Sequence, residues 1–229
     1  MSIKDGPKIV TDGLVLALDA GNRFSYPGSG TTWSDLSGNG YNGTLINGPT
    51  FSNGAIVFDG TDDYVLINNG FTNLFKNKSY WSTSIWIKVV AWGSGNDSYP
   101  VLVSIGAGQG DYSELYLEIG NVNGTTKFYF DYAGDATTGD VEINLNEVYN
   151  FVYIKDGSTF KFYKNGTLIS SVGNRNNVSS VDGDIWLGRF KTGDFELNGN
   201  IYSTQIYNRA LTSQEILQNY NATKGRFGL

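Results

Sequence analysis

Apolar and polar residues alternate with a period of two along most of this 229-residue chain, the spacing of strands that bury one face. Leu14, Leu16 and Leu18 share a face, as do Ile56 and Phe58. In the longest run Trp81, Thr83, Ile85, Ile87 and Val89 point one way and Trp86 the other. Val101, Val103 and Ile105 repeat the pattern. Tyr112–Ile119 and Lys127–Tyr132 form neighbours across Asn123-Gly124. Phe151 and Tyr153, Phe160 and Phe162, then Leu168 and Ile169 make a meander whose last turn is Asn165-Gly166. Ile185–Gly188 and Ile201–Tyr207 complete the set. Asn-Gly and Asp-Gly pairs recur between the runs and supply the positive φ that tight hairpins need. One segment breaks the pattern. Thr212 and Glu215 make a capping box, with Leu211 and Ile216 as its hydrophobic staple. This predicts a helix over Ser213–Tyr220 that docks Ile216, Leu217 and Tyr220. The expectation is an all-β fold of two antiparallel sheets with one short C-terminal helix. Residues 1–229 form a single domain, since no linker or repeat interrupts them.

Composition narrows the chemistry. Cys and His are both absent. Disulfides, thiolate zinc sites, Ser-His-Asp catalysis and ordinary catalytic zinc are thereby excluded, leaving carboxylate chemistry or none. The net charge is −6, with no basic cluster, so nucleic acid and anionic membrane surfaces are disfavoured partners. The apolar runs fall far short of the ~20 residues of a membrane span. Met1–Val10 carries no apolar signal-peptide core, and the expected place of synthesis is a cytoplasm.

Four segments carry a resemblance. They are GLVLALDAGNRFSYPGSGTTWSDLSGNGYNGTL near the start, FDGTDDYV at Phe58–Val65, YNFVYIKDGSTFKFYKNGTLIS at Tyr149–Ser170, and NGNIYSTQIYNRALTSQEILQNYNATKGRFG at the end. In order, they are similar to laminin-G-like domains of the concanavalin-A-like lectin/glucanase superfamily. The resemblance implies a jelly-roll sandwich. Relatives commonly carry two acids before the last strand's apolar part, where this chain has Tyr202 and Ser203. A calcium ligand drawn from those acids is absent. The first and last segments also resemble proteins of tailed-bacteriophage virions. This implies a non-enzymatic module on a capsid, tail or fibre, with other virion proteins and host surface glycans as partners. Two assemblies fit, a homo-oligomer through β-surface contacts or one domain docked on a shell.

Three groups of residues are candidate sites. Trp92, Tyr99, Asp111 and Tyr112 place flat rings beside polar side chains in loops, the chemistry of sugar stacking. Packing over the sandwich ends is the alternative use of these rings. Trp33, Trp81, Trp86 and Trp186 are expected in packing roles. Asp19, Asp35 and Asp62, in Asp- and Asn-rich loops, can supply oxygens to a structural Ca²⁺, although the same residues are expected turn formers. Glu114 and Glu118 share a face at the spacing that laminarinase-type glycosidases of this fold use for nucleophile and acid/base. Tyr116 stands where those enzymes carry a tuning Asp. Alternation predicts instead two Glu on the solvent side, over Leu115, Leu117 and Ile119 in the core. A free lectin is a further alternative.

Overall fold

The computed structural model describes residues 8–92, 97–98, 101–106, 115–122, 125–180, 182–190 and 195–229. The chain begins with β1 (Leu14–Asp19), β2 (Thr32–Trp33), β3 (Gly43–Ile46), β4 (Thr50–Ser52), β5 (Ala55–Asp59) and β6 (Tyr64–Ile67). A short helix α1 (Gly70–Leu74) leads to β7 (Tyr80–Ala91), β8 (Asp97–Ser98), β9 (Val101–Gly106), β10 (Leu115–Val122), β11 (Thr125–Tyr132) and β12 (Asp135–Asp140). Then come β13 (Val148–Asp156), β14 (Thr159–Lys164), β15 (Thr167–Val172), β16 (Asp184–Leu187) and β17 (Asn198–Tyr207). Helix α2 (Ser213–Thr223) and a 3₁₀ turn (Lys224–Phe227) end the chain.

The strands form two antiparallel sheets. One runs β15-β14-β13-β7-β17-β5-β4, with β1 also on β17; the other runs β12-β11-β10-β9-β16-β6-β3-β2, with β8 on β10. β17 pairs with β5 over Asn198–Ile201 and with β1 from Ser203 onward. Its register shifts between Ile201 and Ser203, so Tyr202 and Ser203 mark the bulge where the strand changes partner. Asn53-Gly54 and Asn165-Gly166 close two-residue hairpins with positive φ at both positions, the geometry that matches strand twist.

The core lies between the sheets, where Leu16, Leu18, Phe58, Trp81, Ile85, Phe130, Phe151, Tyr153 and Ile185 are buried. Phe130 and Phe160 stack across it at 4.1 Å between ring centroids. The outer face of the β7-containing sheet is covered by the C-terminal segment. Val152, Ile154, Tyr163, Tyr207, Leu211 and Ile216 form one buried cluster there. Trp86 stacks on Tyr220 at 5.6 Å and on Phe227 at 4.6 Å.

The capping box is formed. Glu215 N donates to Thr212 Oγ1 at 3.3 Å, and Thr212 N donates to Glu215 Oε2 at 2.9 Å. The helix outlasts the expected Ser213–Tyr220 by almost a turn. Its buried residues are Ile216, Asn219 and Thr223, whereas Leu217 is 48% exposed, a departure from the expected docking. Asn219 takes the inward place because it has partners there. Its Oδ1 accepts from Val10 N at 2.7 Å, and its Nδ2 donates to Tyr207 Oη at 3.0 Å.

Candidate functional site

With one outer face covered, the other sheet carries the candidate surface. On β16, Ile185 and Leu187 are buried and Trp186 between them is half-buried, so the indole lies on the outer face. Register carries that face across the sheet. Thr44 pairs with Leu66, Leu66 with Trp186, and Trp186 with Ser104. Ser104 pairs with Tyr116, Tyr116 with Asp131, and Asp131 with Ala136. In the next row Glu118 pairs with Tyr129, and Tyr129 with Thr138. At the far side the Arg189 guanidinium sits 4.4 Å from the centroid of Tyr64, within cation–π range.

The electrostatics of this face are unusual. Burial, followed by the like charge of Asp131, pushes the Glu118 carboxyl up to about 7. Burial also raises Asp131 to about 6; the Gly134 N–H opposes this, Asp135 adds to it and Arg175 counters it. The Tyr153 hydroxyl reaches through the core and donates to the Glu118 carbonyl at 3.1 Å, and the β10 register against β9 shifts at Leu117–Glu118. A shifted strand thus holds a half-desolvated acid beside Tyr129. Leu117 and Ile119 are fully buried, as alternation predicts, but Glu118 is not the freely solvated residue expected opposite them. Trp186, expected in a packing role, lies half-buried on the outer face. Its neighbours Ile185 and Leu187 carried the signal, since strand alternation puts it opposite them.

The expected loop site is seen only at Trp92, which is half-buried and packs against the core. Tyr99, Asp111, Tyr112 and Glu114 lie outside the described residues.

The Ca²⁺ shell of Asp19, Asp35 and Asp62 is not assembled. Asp35 Oδ1 accepts from Ala17 N and Ser37 N, both at 2.9 Å. Its Oδ2 accepts from Ser37 Oγ at 2.7 Å and Tyr41 N at 3.1 Å. Four donors saturate a carboxylate, so Asp35 is a turn former. Asp19 is paired with Arg226 at 2.9 Å. Asp62 instead groups with Asp59 and Asp63, whose carboxylate oxygens lie within 4.8 Å of one another. Asp59 Oδ1 holds Thr61 N at 2.8 Å and Asp63 Oδ2 holds Asp59 N at 3.1 Å, bonds that shape the hairpin. At the place of the relatives' late acids, Tyr202 packs on Phe227 at 4.8 Å and Ser203 is buried.

Known structures share this architecture. The Trypanosoma rangeli sialidase matches with a TM-score of 0.69 and 17% identity over 93% of this chain and 33% of its own. A second structure of that sialidase, with 2,3-difluorosialic acid as a covalent intermediate, reaches 0.71 over 98% of this chain and 36% of its own. The botulinum neurotoxin serotype D binding domain matches at 0.66 and 16% identity over 93% of this chain and 53% of its own. The chain therefore spans about a third of the sialidase and half of the toxin domain, and at these identities the likeness is one of fold. No curated protein sequence matches. Residues 59–217 match a family model, and this stretch runs from the acidic hairpin through β16 and β17 into α2. With two antiparallel sheets in the expected jelly-roll arrangement, the chain belongs to the concanavalin A-like lectin/glucanases superfamily.

Proposed function

We propose that this protein is a non-enzymatic carbohydrate-binding module whose site is the outer face of the β16-containing sheet. One observation carries the reading: half-buried Trp186 shares that face with Tyr129 and the half-desolvated acids Glu118 and Asp131. Flat rings offer apolar area to a pyranose, and the acids orient its hydroxyls. Support also comes from fold neighbours that include a sialidase in complex with sialic acid and a toxin receptor-binding domain. The test is a glycan array followed by titration of the best hit. Trp186→Ala weakens binding about thirtyfold, the scale of a central aromatic contact, while Leu217→Ala on the opposite side leaves it unchanged. An array without hits, or full affinity in Trp186→Ala, overturns the proposal.

The proposed setting is a phage virion, as an attachment or decoration module alongside other virion proteins. The likeness of the terminal segments to virion proteins supports it. Mass spectrometry of purified particles checks it, and absence of the chain from particles rejects it.

The raised Glu118 carboxyl favours a second reading, glycoside hydrolysis with Glu118 as proton donor. Turnover of a β-glucan that is lost in Glu118→Gln would replace the binding reading with this one.

A further inference from the structure

We infer, on the carbohydrate-binding reading above, that the glycan held on this face carries a free amino group, and that Glu118, Asp131 and Tyr129 together receive its ammonium. Glu118 of β10 lies opposite Tyr129 of β11, and Asp131 follows two residues later on the same face. All three are half-buried. Glu118 and Asp131 are therefore diagonal neighbours, about 7–8 Å apart along the backbone. One small cation fits between two carboxylates at that separation. Tyr129 adds an aromatic ring, whose face attracts a desolvated cation.

The surrounding charges leave this pair without a counter-ion. Among the described residues no hydrogen-bond donor and no cation meets the Glu118 carboxylate, and the charge that acts on it is that of Asp131, of like sign. Lys127 shares the face of β11 but is tied to Asp140 at 2.5 Å on the edge strand. Asp131 Oδ1 accepts only from Gly134 N, at 3.0 Å. Asp135 adds like charge to it, and Arg175 opposes this without forming an ion pair with Asp131 among the described residues. The Thr138 hydroxyl is turned away, donating to Phe128 O at 2.8 Å. Two like charges half removed from water are costly until an opposite charge joins them. A protonated amine supplies that charge together with its own donors.

The same features reject other occupants. Ca²⁺ takes about 6–8 oxygen ligands, and two carboxylates beside a ring fall short of that. The described acids that do converge as a trio, Asp59, Asp62 and Asp63, belong to another hairpin. An acidic sugar would meet repulsion here, and Arg189, at the far side, is already engaged with the Tyr64 ring at 4.4 Å. Sialic acid, the ligand in one of the sialidase complexes, is thus disfavoured. A lysine side chain could satisfy the acids but would leave Trp186 idle. Trp186 lies two strands from β10, roughly 10 Å away, a span that a short chain of sugars covers.

Calorimetric titration with a tetramer of β-1,4-linked glucosamine and with its N-acetylated twin tests this. The free amine form is expected to bind at least about tenfold more tightly, the scale of a charge-assisted hydrogen bond. Glu118→Gln and Asp131→Asn should each bring the two affinities together, with a cooperative melt showing that the variant is folded. Trp186→Ala should weaken the amine form, and Leu217→Ala should leave its preference intact. Equal affinities for the twins, or a preference that survives both acid variants, overturns the amine assignment while the carbohydrate reading stands. So does a neutral or sialylated glycan that binds when neither tetramer does, or a tetralysine peptide that binds as tightly as the glucosamine tetramer. Failure of neutral, amino and acidic glycans alike ends the carbohydrate reading itself.

Discussion

Glu118 shows how a buried acid makes stability depend on pH. The folded protein holds its proton more tightly than the unfolded chain, since its pKa rises from 4.5 to about 7. Native stability from this group is therefore greatest at low pH and falls as pH climbs from 4.5 through 7. Asp131 acts with the same sign between 3.8 and about 6. Glu215 acts oppositely: Arg209 holds it at about 2, so its contribution is lost as pH falls from 4.5 toward 2. Glu118→Gln should stabilise the protein at pH 8 by on the order of 1–2 kcal/mol and leave pH 4 unchanged. Thermal melts across pH check this, and parallel profiles for wild type and variant would contradict it. The acid at this position is legible in the sequence; its desolvation is not. The raised pKa comes from burial in the sheet and from the like charge of Asp131 on the neighbouring strand, both of them non-local.

At the scale of elements, the capping box of α2 gives a clean test. Thr212→Ala removes the side-chain acceptor for Glu215 N and should cost about 1 kcal/mol, read as a lower melting temperature. An unchanged melt would mean that the helix start is held by the Arg209–Glu215 pair at 2.6 Å instead. Local chemistry of this kind is what sequence reading recovered well: the box, the Asn165-Gly166 hairpin, the buried face of β7, and Trp86 on its other side. It failed where a partner replaces hydrophobicity. Apolar spacing chose Leu217 for the helix's inner face, yet Asn219 lies there because Val10 and Tyr207 satisfy its amide. β12, Asp-Ala-Thr-Thr-Gly-Asp, offers no apolar alternation and is a strand because β11 supplies its ladder. At the candidate site, Glu118 was singled out for its spacing. Trp186 is expected in a packing role, and alternation with buried Ile185 and Leu187 puts its half-buried side chain on the outer face.

Across the whole molecule, the last residues act as a clasp. Phe227 stacks on Trp86, and Arg226 pairs with Asp19 at 2.9 Å. Deleting Lys224–Leu229 should cost about 2 kcal/mol and lower the melting temperature by ~4–8 °C, with Trp86 emission shifted to the red as water reaches it. A truncated protein that melts like wild type would show the clasp to be ornamental. The seam beneath it has a mechanical consequence. β1 and β17 are antiparallel, with Leu14 opposite Tyr207 and Asp19 opposite Ser203. The chain enters β1 at the same end at which it leaves β17. Tension applied between the two termini first meets the Phe227 and Arg226 clasp and the ties of Lys8 to Gln218 and Val10 to Asn219, and then opens the seam rung by rung from Leu14–Tyr207. That is the peeling of a zip, and its rungs never share the force as they would in shear.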